Sequence, residues 1–226
     1  MASPVAQIEQ VLRELVQAFG DVAVVGVPVS GEAGAQEALG IAPTELLGVE
    51  RSLYQRYRSP RRRAEFLAGR RAARRAVAIA LDRPEGGSVE IGREPSGSPC
   101  VREHPGLRVS IAHSSGVAVA VAARFAIGVD LELDAPRPAA LARFFLSPRE
   151  RDTLAGAAEP TRQGLLNVLW TRKEAASKVG GWGGRLVFAA LDCSHERVTV
   201  AGLQIDLRSA RTAGYALSVA RAVEVR

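Results

Sequence analysis

The sequence has few cysteines and lacks the long apolar segments that mark membrane-spanning proteins. It contains only two cysteines, Cys100 and Cys193, which lie far apart and in no metal-ligand spacing. This argues against a disulfide scaffold and fits a reducing environment. No run approaches the roughly 20 uninterrupted apolar residues that span a bilayer. The first twenty residues also lack a basic patch followed by an apolar core and a cleavage site. We therefore expect a cytoplasmic protein without a membrane span.

Lysine is scarce too, although the chain is basic. Its 30 basic residues include only Lys173 and Lys178 as lysines, so arginine carries most of the formal net charge of +6. Part of this excess reflects a composition rich in Arg and Ala throughout, and the functional interpretation is an anionic partner such as nucleic acid, a nucleotide cofactor or an acidic protein. With 47% hydrophobic and 24% charged residues among 226, the chain is not wholly disordered.

Apolar periodicity predicts helices and strands in two similar halves. The predicted helices cover 5–19, 44–58, 61–82, 139–156 and 160–179. The predicted strands cover 22–29, 89–91, 107–113, 117–123, 126–134, 185–190, 197–207 and 214–224. The order α-β-α-α-β-β-β followed by β-α-α-β-β-β favours an α+β fold over a doubly wound sheet. No residue-level repetition is detectable.

Two acids stand on one face of the strand Gly128-Val129-Asp130-Leu131-Glu132. Side chains at i and i+2 of a strand project to the same side, with Cα atoms about 6–7 Å apart. Two close carboxylates repel unless a cation lies between them. Mg²⁺ suits a small set of oxygen ligands and also binds substrate phosphate. The alternative is an edge strand whose acids face water.

A second group lies on a predicted helix, where Trp170, Glu174 and Lys178 follow one stripe at i, i+4 and i+8. A Glu/Lys pair at this spacing is typical of a surface ion pair. The tryptophan indicates instead that this stripe is buried, and burial of a charged pair needs a reason. Spacing alone leaves both interpretations open.

The remaining features are less specific. His113 lies at a strand end followed by Ser114-Ser115-Gly116, and a lone histidine there is usually structural. An arginine cluster over 61–75 is either a phosphate cradle or a solvated helix face. No Gly-x-Ser-x-Gly elbow is present, which argues against a Ser-His-Asp hydrolase. The glycine-rich loop at 180–184 matches neither the P-loop nor the dinucleotide fingerprint.

Taken in order, these motifs resemble the Sfp-type phosphopantetheinyl transferases, including the enterobactin-type members. The histidine turn is followed by GVDLE, and then by WTRKEAASK. FLAGRRAAR upstream and RFFLSPRE between the acidic motifs are similar to family segments. The resemblance covers about residues 58–190.

The resemblance implies transfer of 4′-phosphopantetheine from coenzyme A to a serine of an acyl- or peptidyl-carrier domain, with release of adenosine 3′,5′-bisphosphate. It implies that Asp130, Glu132 and Glu174 hold Mg²⁺ against the pyrophosphate. Glu174 would also take up the serine proton or orient the base that does. Lys178 would stabilise or protonate the leaving phosphate. A metal together with a cation suits the charge that builds up during attack on a pyrophosphate.

For coenzyme A, the resemblance implies phosphate contacts from Arg70, His113 and Lys178, to which we add Arg62 and Arg63 as candidates.

Two positions depart from the family pattern. Ala112 precedes the histidine where some relatives carry serine, and Ser98 stands where some carry the lysine of a Gly-Lys-Pro turn. Arg93 or one of the arginines at 61–63 would then supply the missing phosphate contact, and the sequence does not decide which.

The resemblance also implies a pseudodimer of two similar α+β lobes with the active site at their interface. We expect residues 1–124 to contribute to coenzyme A binding and 125–226 to carry the metal ligands and the catalytic helix. The expected active unit is a monomer.

Two other classes remain as alternatives. A nucleic-acid-binding module would use the basic helix, but it lacks interleaved aromatic residues or a known signature and leaves the three acids unexplained. A metal-dependent phosphodiesterase would share the acids but requires a water nucleophile. We expect coenzyme A and apo carrier domains as partners, with neither nucleic acid nor membrane. The sequence does not reveal which carrier.

Overall fold

The computed structural model describes residues 2–29, 43–84 and 89–223 and has the predicted α+β architecture. We number its helices α1 Pro4–Val16, α2 Gly48–Arg56, α3 Pro60–Ala80, α4 Ala139–Phe145, α5 Pro148–Ala155 and α6 Thr161–Val179. The strands are β1 Ala23–Pro28, β2 Ile91–Arg93, β3 Pro99–Val101, β4 Arg108–Ser114, β5 Val117–Ala123, β6 Ile127–Leu133, β7 Arg197–Val200, β8 Leu203–Thr212 and β9 Tyr215–Ala222. Within these ranges, no helix is long and apolar enough to cross a bilayer.

The strands form two antiparallel sheets with one topology. The first has the order β1-β5-β4-β3-β2 and the second β6-β9-β8-β7. In each sheet, the first strand of that half of the chain pairs with the last strand of the same half. The remaining strands then follow in reverse sequence order. The chain leaves the first sheet at Ala123 and enters the second at Ile127. The fold is therefore two similar α+β lobes, while the division into domains at residue 124 stays a prediction.

Each half also contains one buried glutamate built into the same framework. In the first half, Glu50 lies in the first turn of α2 and is fully buried. Its Oε2 accepts from the Leu47 amide at 3.2 Å, and its Oε1 accepts from the Ile91 amide at 3.2 Å. Arg74 and Arg70 of α3 supply the opposite charge, Arg74 by a direct hydrogen bond.

In the second half, Glu150 repeats this arrangement about one hundred residues later. It is fully buried in the first turn of α5, and its Oε2 accepts from the Ser147 amide at 2.7 Å. Its Oε1 accepts from the Cys193 amide at 2.7 Å. Lys173 of α6 supplies the opposite charge at 2.8 Å. The structure thus shows a residue-level repetition that the sequence did not reveal.

An apolar core joins the two halves. The buried face of α1 contributes Ile8, Leu12 and Val16, with Ser3 capping the start of the helix. These residues pack against Val119 and Val121 of the first sheet and Val129, Leu217 and Val219 of the second. Complete burial of one such side chain stabilises by roughly 1.5–3 kcal/mol. The two sheets therefore share a core that fixes their relative position.

Three predicted elements were wrong in their extent. The predicted helix 139–156 is two helices, because Ser147 caps a new helix that begins at Pro148. The predicted strand 197–207 is a hairpin that turns at Ala201-Gly202, where both residues have positive φ. The predicted strand at 89–91 is the hairpin of β2 and β3.

The predicted strand at 185–190 was wrong in kind. Two short 3₁₀ turns, Gly183–Arg185 and Phe188–Ala190, replace it. The ammonium of Lys173 explains this difference, because it donates to the carbonyls of Phe188, at 2.9 Å, and Leu191. These carbonyls face a buried cation and are not available to a neighbouring strand.

Candidate active site

Close contact between β6 and α6 builds the acidic part of the site. A Cβ at Gly128 would lie 2.0 Å from the carbonyl oxygen of Ala175, so only glycine permits this approach. The contact brings Lys178 over β6. Its Nζ donates to Asp130 Oδ1 at 2.7 Å and to the Val129 carbonyl at 2.9 Å. The GVDLE and WTRKEAASK motifs are thus adjacent in space.

Asp130 is a buried acid with one unused oxygen. Its residue is 6% exposed, and Oδ2 has no hydrogen-bond partner. Burial raises the pKa of Asp130 to about 6; Lys178 opposes the rise, and Glu174 and Glu132 add to it. An unpaired buried carboxylate oxygen is costly, and a cation bound there would remove that cost.

Glu174 lies one turn before Lys178 on α6 and is half-buried. No residue that the structure describes forms a hydrogen bond or an ion pair with its carboxylate. Burial raises its pKa, Lys178 lowers it and Glu132 raises it further. A carboxylate with a raised pKa and free oxygens is suited to accept a proton.

Glu132 lies on the same face of β6 as Asp130, but its carboxylate is occupied. Its Oε1 accepts from Trp170 Nε1 at 3.2 Å. Its Oε2 accepts from Ser114 Oγ at 3.3 Å and lies 3.4 Å from Arg137 Nη2. Strand alternation therefore predicted the face correctly, but not the partners.

The three acids are not arranged as a preformed metal-binding site. Across the ranges 2–29, 43–84 and 89–223, no three His, Cys, Asp or Glu side chains are grouped as a metal site. Mg²⁺, however, is usually bound by one or two carboxylates together with waters and substrate phosphates. Asp130 Oδ2 and the Glu174 carboxylate are two such oxygen donors without protein partners. The donor set fits that ion.

A basic pocket lies beside the acidic site, between α2, α3, the β2–β3 hairpin and β4. It encloses about 170 Å³. Arg62, Arg70, Arg93 and His113 line it, with Glu65 as the acid among them. Such a lining suits a ligand with more than one negative charge.

Arg70 is the most enclosed cation of this pocket. It is 8% exposed, and its guanidinium lies 4.5 Å from the centroid of the Phe66 ring. Its Nε lies 3.8 Å from Glu50 and has no hydrogen-bond partner. Burial lowers the pKa of Arg70, and Glu50 opposes the shift. Because Arg70 lines the pocket, its guanidinium provides positive charge for a phosphate bound there.

His113 connects the basic pocket to the acidic site. Its Nδ1 lies 3.7 Å from Glu65 Oε2. Burial lowers the pKa of His113; Glu65 raises it, whereas Lys178 and Arg62 lower it. Lys178 of the second lobe is therefore close enough to His113 of the first lobe to affect its pKa.

Of the other candidate arginines, Arg93 and Arg62 line the pocket, and Arg63 does not. The Arg63 Nε donates to the Tyr57 carbonyl at 2.8 Å, and its guanidinium lies over the Tyr54 ring. Arg93 is oriented by a hydrogen bond of 2.8 Å to the carbonyl of Gly97, next to Ser98. The structure thus favours Arg93 and Arg62 over Arg63 as phosphate contacts.

A second cavity of about 290 Å³ opens between the two lobes and shares Pro99 with the basic pocket. Arg108 and Ser98 line it from the first lobe, and Lys178 and Arg185 from the second. The cation next to Asp130 is therefore accessible from a cleft at the lobe interface.

Sequence models of known families match most of the chain. The 4′-phosphopantetheinyl transferase superfamily matches residues 126–220, and the 4′-phosphopantetheinyl transferase N-terminal domain matches residues 49–123. This chain belongs to the 4′-phosphopantetheinyl transferase superfamily. The family inferred from the motifs is confirmed.

The 4′-phosphopantetheinyl transferase HetI of Nostoc sp. is a similar curated protein, 33% identical over 134 residues. The match takes up 57% of this chain and 56% of that relative, little more than half of its length. Among solved structures, the Thermotoga maritima holo-[acyl-carrier-protein] synthase is 12% identical, with a TM-score of 0.34. The match covers 43% of this chain and 62% of the synthase chain.

Sequence reasoning missed several residues that shape this candidate site. Gly128 permits the close contact of β6 and α6, and Glu150 with Lys173 anchors α6. Ser114 and Arg137 hold Glu132. The SPRE sequence at 147–150 does indicate the start of a helix, because serine followed three residues later by glutamate is a helix-capping pattern.

Proposed function

We propose that this protein transfers 4′-phosphopantetheine from coenzyme A to a serine hydroxyl of an acyl- or peptidyl-carrier domain. The other product is adenosine 3′,5′-bisphosphate, and the acceptor changes from the apo to the holo form. One observation carries the proposal. In a chain of this family, Asp130 with one unpaired oxygen, Glu174 and the cation Lys178 lie beside an arginine-rich pocket of the first lobe, and Lys178 also lines the cavity between the lobes.

Coenzyme A is a polyanion, and the cationic side chains that line the two neighbouring cavities match it in charge. We assign the basic pocket, with Arg62, Arg70, Arg93 and His113, to the phosphates of the nucleotide end. Arginine binds phosphate through two parallel hydrogen bonds, and Arg70 lines this pocket. Lys178, in the adjoining cavity, would contact the pyrophosphate.

Asp130, Glu132 and Glu174 are the residues that would hold Mg²⁺, with Glu132 acting directly or through water. When bound, Mg²⁺ would neutralise charge on the pyrophosphate oxygens during transfer. Glu174 takes up the proton of the attacking serine, or orients the base that does, because its oxygens are free and its pKa is raised. Lys178 stabilises or protonates the phosphate that leaves, since its Nζ is already held at the site by Asp130.

We expect the protein to be cytoplasmic. We also expect its active unit to be a monomer, because a single chain provides both sides of the cleft. A net charge of +6 favours an acidic carrier domain and speeds its approach. The name of the similar Nostoc protein, a 4′-phosphopantetheinyl transferase, supports the transfer reaction.

The test combines the protein with coenzyme A, Mg²⁺ and a panel of apo carrier domains, followed by intact-mass measurement of the carrier. We expect the carrier to gain the mass of one phosphopantetheine group. A carrier whose acceptor serine is replaced by alanine is the matched control. Hydrolysis of coenzyme A without a carrier adduct would indicate the phosphodiesterase alternative. Failure of every carrier to react would count against the proposal.

Two variants localise the chemistry. Asp130→Ala and Glu174→Gln should each reduce transfer at least about a thousandfold, equivalent to about 4 kcal/mol of transition-state stabilisation. Both variants should retain the far-ultraviolet circular dichroism of the parent. Near-normal turnover of Asp130→Ala at saturating Mg²⁺ would exclude Asp130 as a ligand.

A further inference from the structure

A series of hydroxyl groups joins α6 to the sheet of the second lobe. Thr171 Oγ1 of α6 lies 2.7 Å from Ser218 Oγ of β9. Ser218 Oγ lies 2.9 Å from Ser209 Oγ of β8, which is its cross-strand neighbour. Thr171 and Ser218 are fully buried. We call these three side chains the hydroxyl chain.

The two ends of the hydroxyl chain fix the direction of its hydrogen bonds. Arg172 Nε, which can only donate, lies 2.9 Å from Ser209 Oγ. At the other end, Thr171 Oγ1 donates to the Val168 carbonyl at 3.0 Å. Each hydroxyl has a single proton, so Ser209 donates to Ser218, and Ser218 donates to Thr171. Every proton is used once, and hydrogen bonds aligned in this way strengthen one another.

The hydroxyl chain holds α6 on one side of the site, and Lys178 holds it on the other. Asp130, Ser218 and Ser209 are cross-strand neighbours on β6, β9 and β8, so their side chains share one face of the sheet. Thr171 contacts Ser218 on this face. Two turns later, Lys178 Nζ donates to Asp130 at 2.7 Å. The helix is thus fixed at two points, about 10 Å apart along its axis.

Glu174 lies between these two points, three residues after Thr171 and four before Lys178. Its carboxylate has no hydrogen bond or ion pair with any residue in the described part of the chain. The direction of Glu174 therefore depends on the rotation of α6 about its own axis. A rotation of about 10° would move the carboxylate by about 1 Å, because a long side chain ends well outside the helix backbone.

We propose that Thr171 and Ser218 are positioning residues, whose hydrogen bond sets the rotation of α6 and so directs Glu174 toward the acceptor serine. Neither residue lines the cavities assigned to coenzyme A, and Lys178 keeps its own contact with Asp130. Interruption of the hydroxyl chain should therefore slow transfer and leave the binding of coenzyme A unchanged. The proposal rests on the transfer function argued above.

The test compares two substitutions of Thr171 in the full chain, assayed with coenzyme A and a reactive apo carrier. Thr171→Val keeps the shape of the side chain and removes the hydroxyl, whereas Thr171→Ser keeps the hydroxyl and removes a methyl group. Thr171→Val should lower kcat about tenfold at an unchanged KM for coenzyme A, because a small misplacement of a reacting group has an effect of this size. Thr171→Ser should keep kcat within about twofold of the parent, although loss of a buried methyl group lowers its unfolding temperature.

Ser218→Ala interrupts the same chain from the side of the sheet and should lower kcat by a similar factor. Because the two residues act as one unit, Thr171→Val/Ser218→Ala should be within about twofold of the slower single variant. Thr153→Val is the matched control. The exposed Thr153 hydroxyl donates to a carbonyl of its own helix, that of Arg149, at 3.0 Å, so kcat should not change. Thermal unfolding measures the folded fraction of each variant, and Ser218→Ala decides if Thr171→Val does not fold.

Other results would overturn this inference. An unchanged kcat of Thr171→Val, or losses in Thr171→Val and Thr171→Ser that simply follow their unfolding temperatures, would show that Thr171 contributes only to stability. A raised KM for coenzyme A at an unchanged kcat would place the hydroxyl chain in substrate binding. In each of these cases, transfer by the parent leaves the proposed function standing. A parent that modifies no carrier would overturn the function and this inference together.

Discussion

The two lobes share one construction and differ in what they present to the cleft. In the first lobe, Glu50 is neutralised by two arginines of α3, and one of them, Arg70, also faces the basic pocket. In the second lobe, Glu150 is neutralised by Lys173, which is fully buried and does not reach the site. There the neighbouring residue, Glu174, reaches the site instead. The same scaffold thus supplies cations on one side and acids on the other.

The choice of cation follows from the geometry on each side. A compact ammonium such as that of Lys173 can donate at once to Glu150 and to the carbonyls of Phe188 and Leu191. The guanidinium of arginine is planar and wider, so Arg70 can lie near Glu50 and still present an edge to the pocket. The comparison predicts that the two lobes respond differently to substitution.

The largest expected effect comes from separating the lobes. Residues 1–124 or 125–226 expressed alone should give no transfer, because each lacks either the basic pocket or the acids. Each should also be poorly soluble, since separation exposes apolar core such as Val119 and Val121 on one side and Leu217 and Val219 on the other. Carrier modification and analytical ultracentrifugation check both points. Transfer by an isolated half, or activity confined to an oligomer, would contradict the predicted monomeric unit.

The buried ion pair of the second lobe should matter more for stability than that of the first. Lys173→Met leaves Glu150 buried without a counter-charge and should destabilise by about 3–5 kcal/mol in urea unfolding. Arg74→Met should destabilise less, because Arg70 stays near Glu50. The double variant Glu150→Leu/Lys173→Met should be more stable than Lys173→Met. Equal losses for Lys173→Met and Arg74→Met would remove the proposed difference between the lobes.

The pairing of these glutamates marks the limit of prediction from sequence. Strand alternation and helical spacing were sufficient to group Asp130 with Glu132 and Glu174 with Lys178, because those relations lie within one element. Contacts between elements could not be derived in this way. The hydrogen bond from the Cys193 amide to Glu150 crosses 43 positions, and no periodicity within one segment reveals it.

The same limit explains the wrong strand at 185–190. Its residues are compatible with a strand by composition, but the ammonium of Lys173 takes up the carbonyls of Phe188 and Leu191. Likewise, Arg137 pairs with Glu132 while its Nε donates to Asn167 of α6, thirty residues away. A local pattern predicts which face a side chain occupies, whereas its partners are determined by tertiary packing.

The next largest effect concerns Asp130 and pH. Its pKa is about 6 in the folded protein, above the ordinary 3.8, so the folded state holds this proton more tightly than the unfolded chain. As the pH rises from about 4 to 7, the folded protein must ionise a buried acid, and this contribution lowers its stability. Without divalent ions, the free energy of unfolding of Asp130→Asn should increase relative to that of the parent by up to about 3 kcal/mol as the pH rises across that range. Urea unfolding at several pH values measures this difference.

Asp206→Asn is the control with the opposite sign. The hydrogen bond from Arg197 lowers the pKa of Asp206, so its ionised form stabilises the fold above the ordinary value of 3.8. Asp206→Asn should therefore lower the free energy of unfolding at neutral pH. This loss of stability should shrink as the pH falls through 3.8 and below. If the two variants showed the same dependence on pH, the buried environment assigned to Asp130 would be wrong.

The smallest effect distinguishes the parts of the basic pocket. If Arg70 binds the 3′-phosphate, Arg70→Ala should raise the KM for coenzyme A about tenfold, because a charge-assisted hydrogen bond contributes about 1.5–3 kcal/mol. The KM for dephospho-coenzyme A, which lacks that phosphate, should change little. Arg63→Ala is the matched control, because Arg63 does not line the pocket. Its guanidinium donates to the Tyr57 carbonyl and lies over the Tyr54 ring, so its loss should affect neither cofactor. An equal rise of KM for both cofactors would place Arg70 at the pyrophosphate, so the first lobe would then act on the reacting group as the second does.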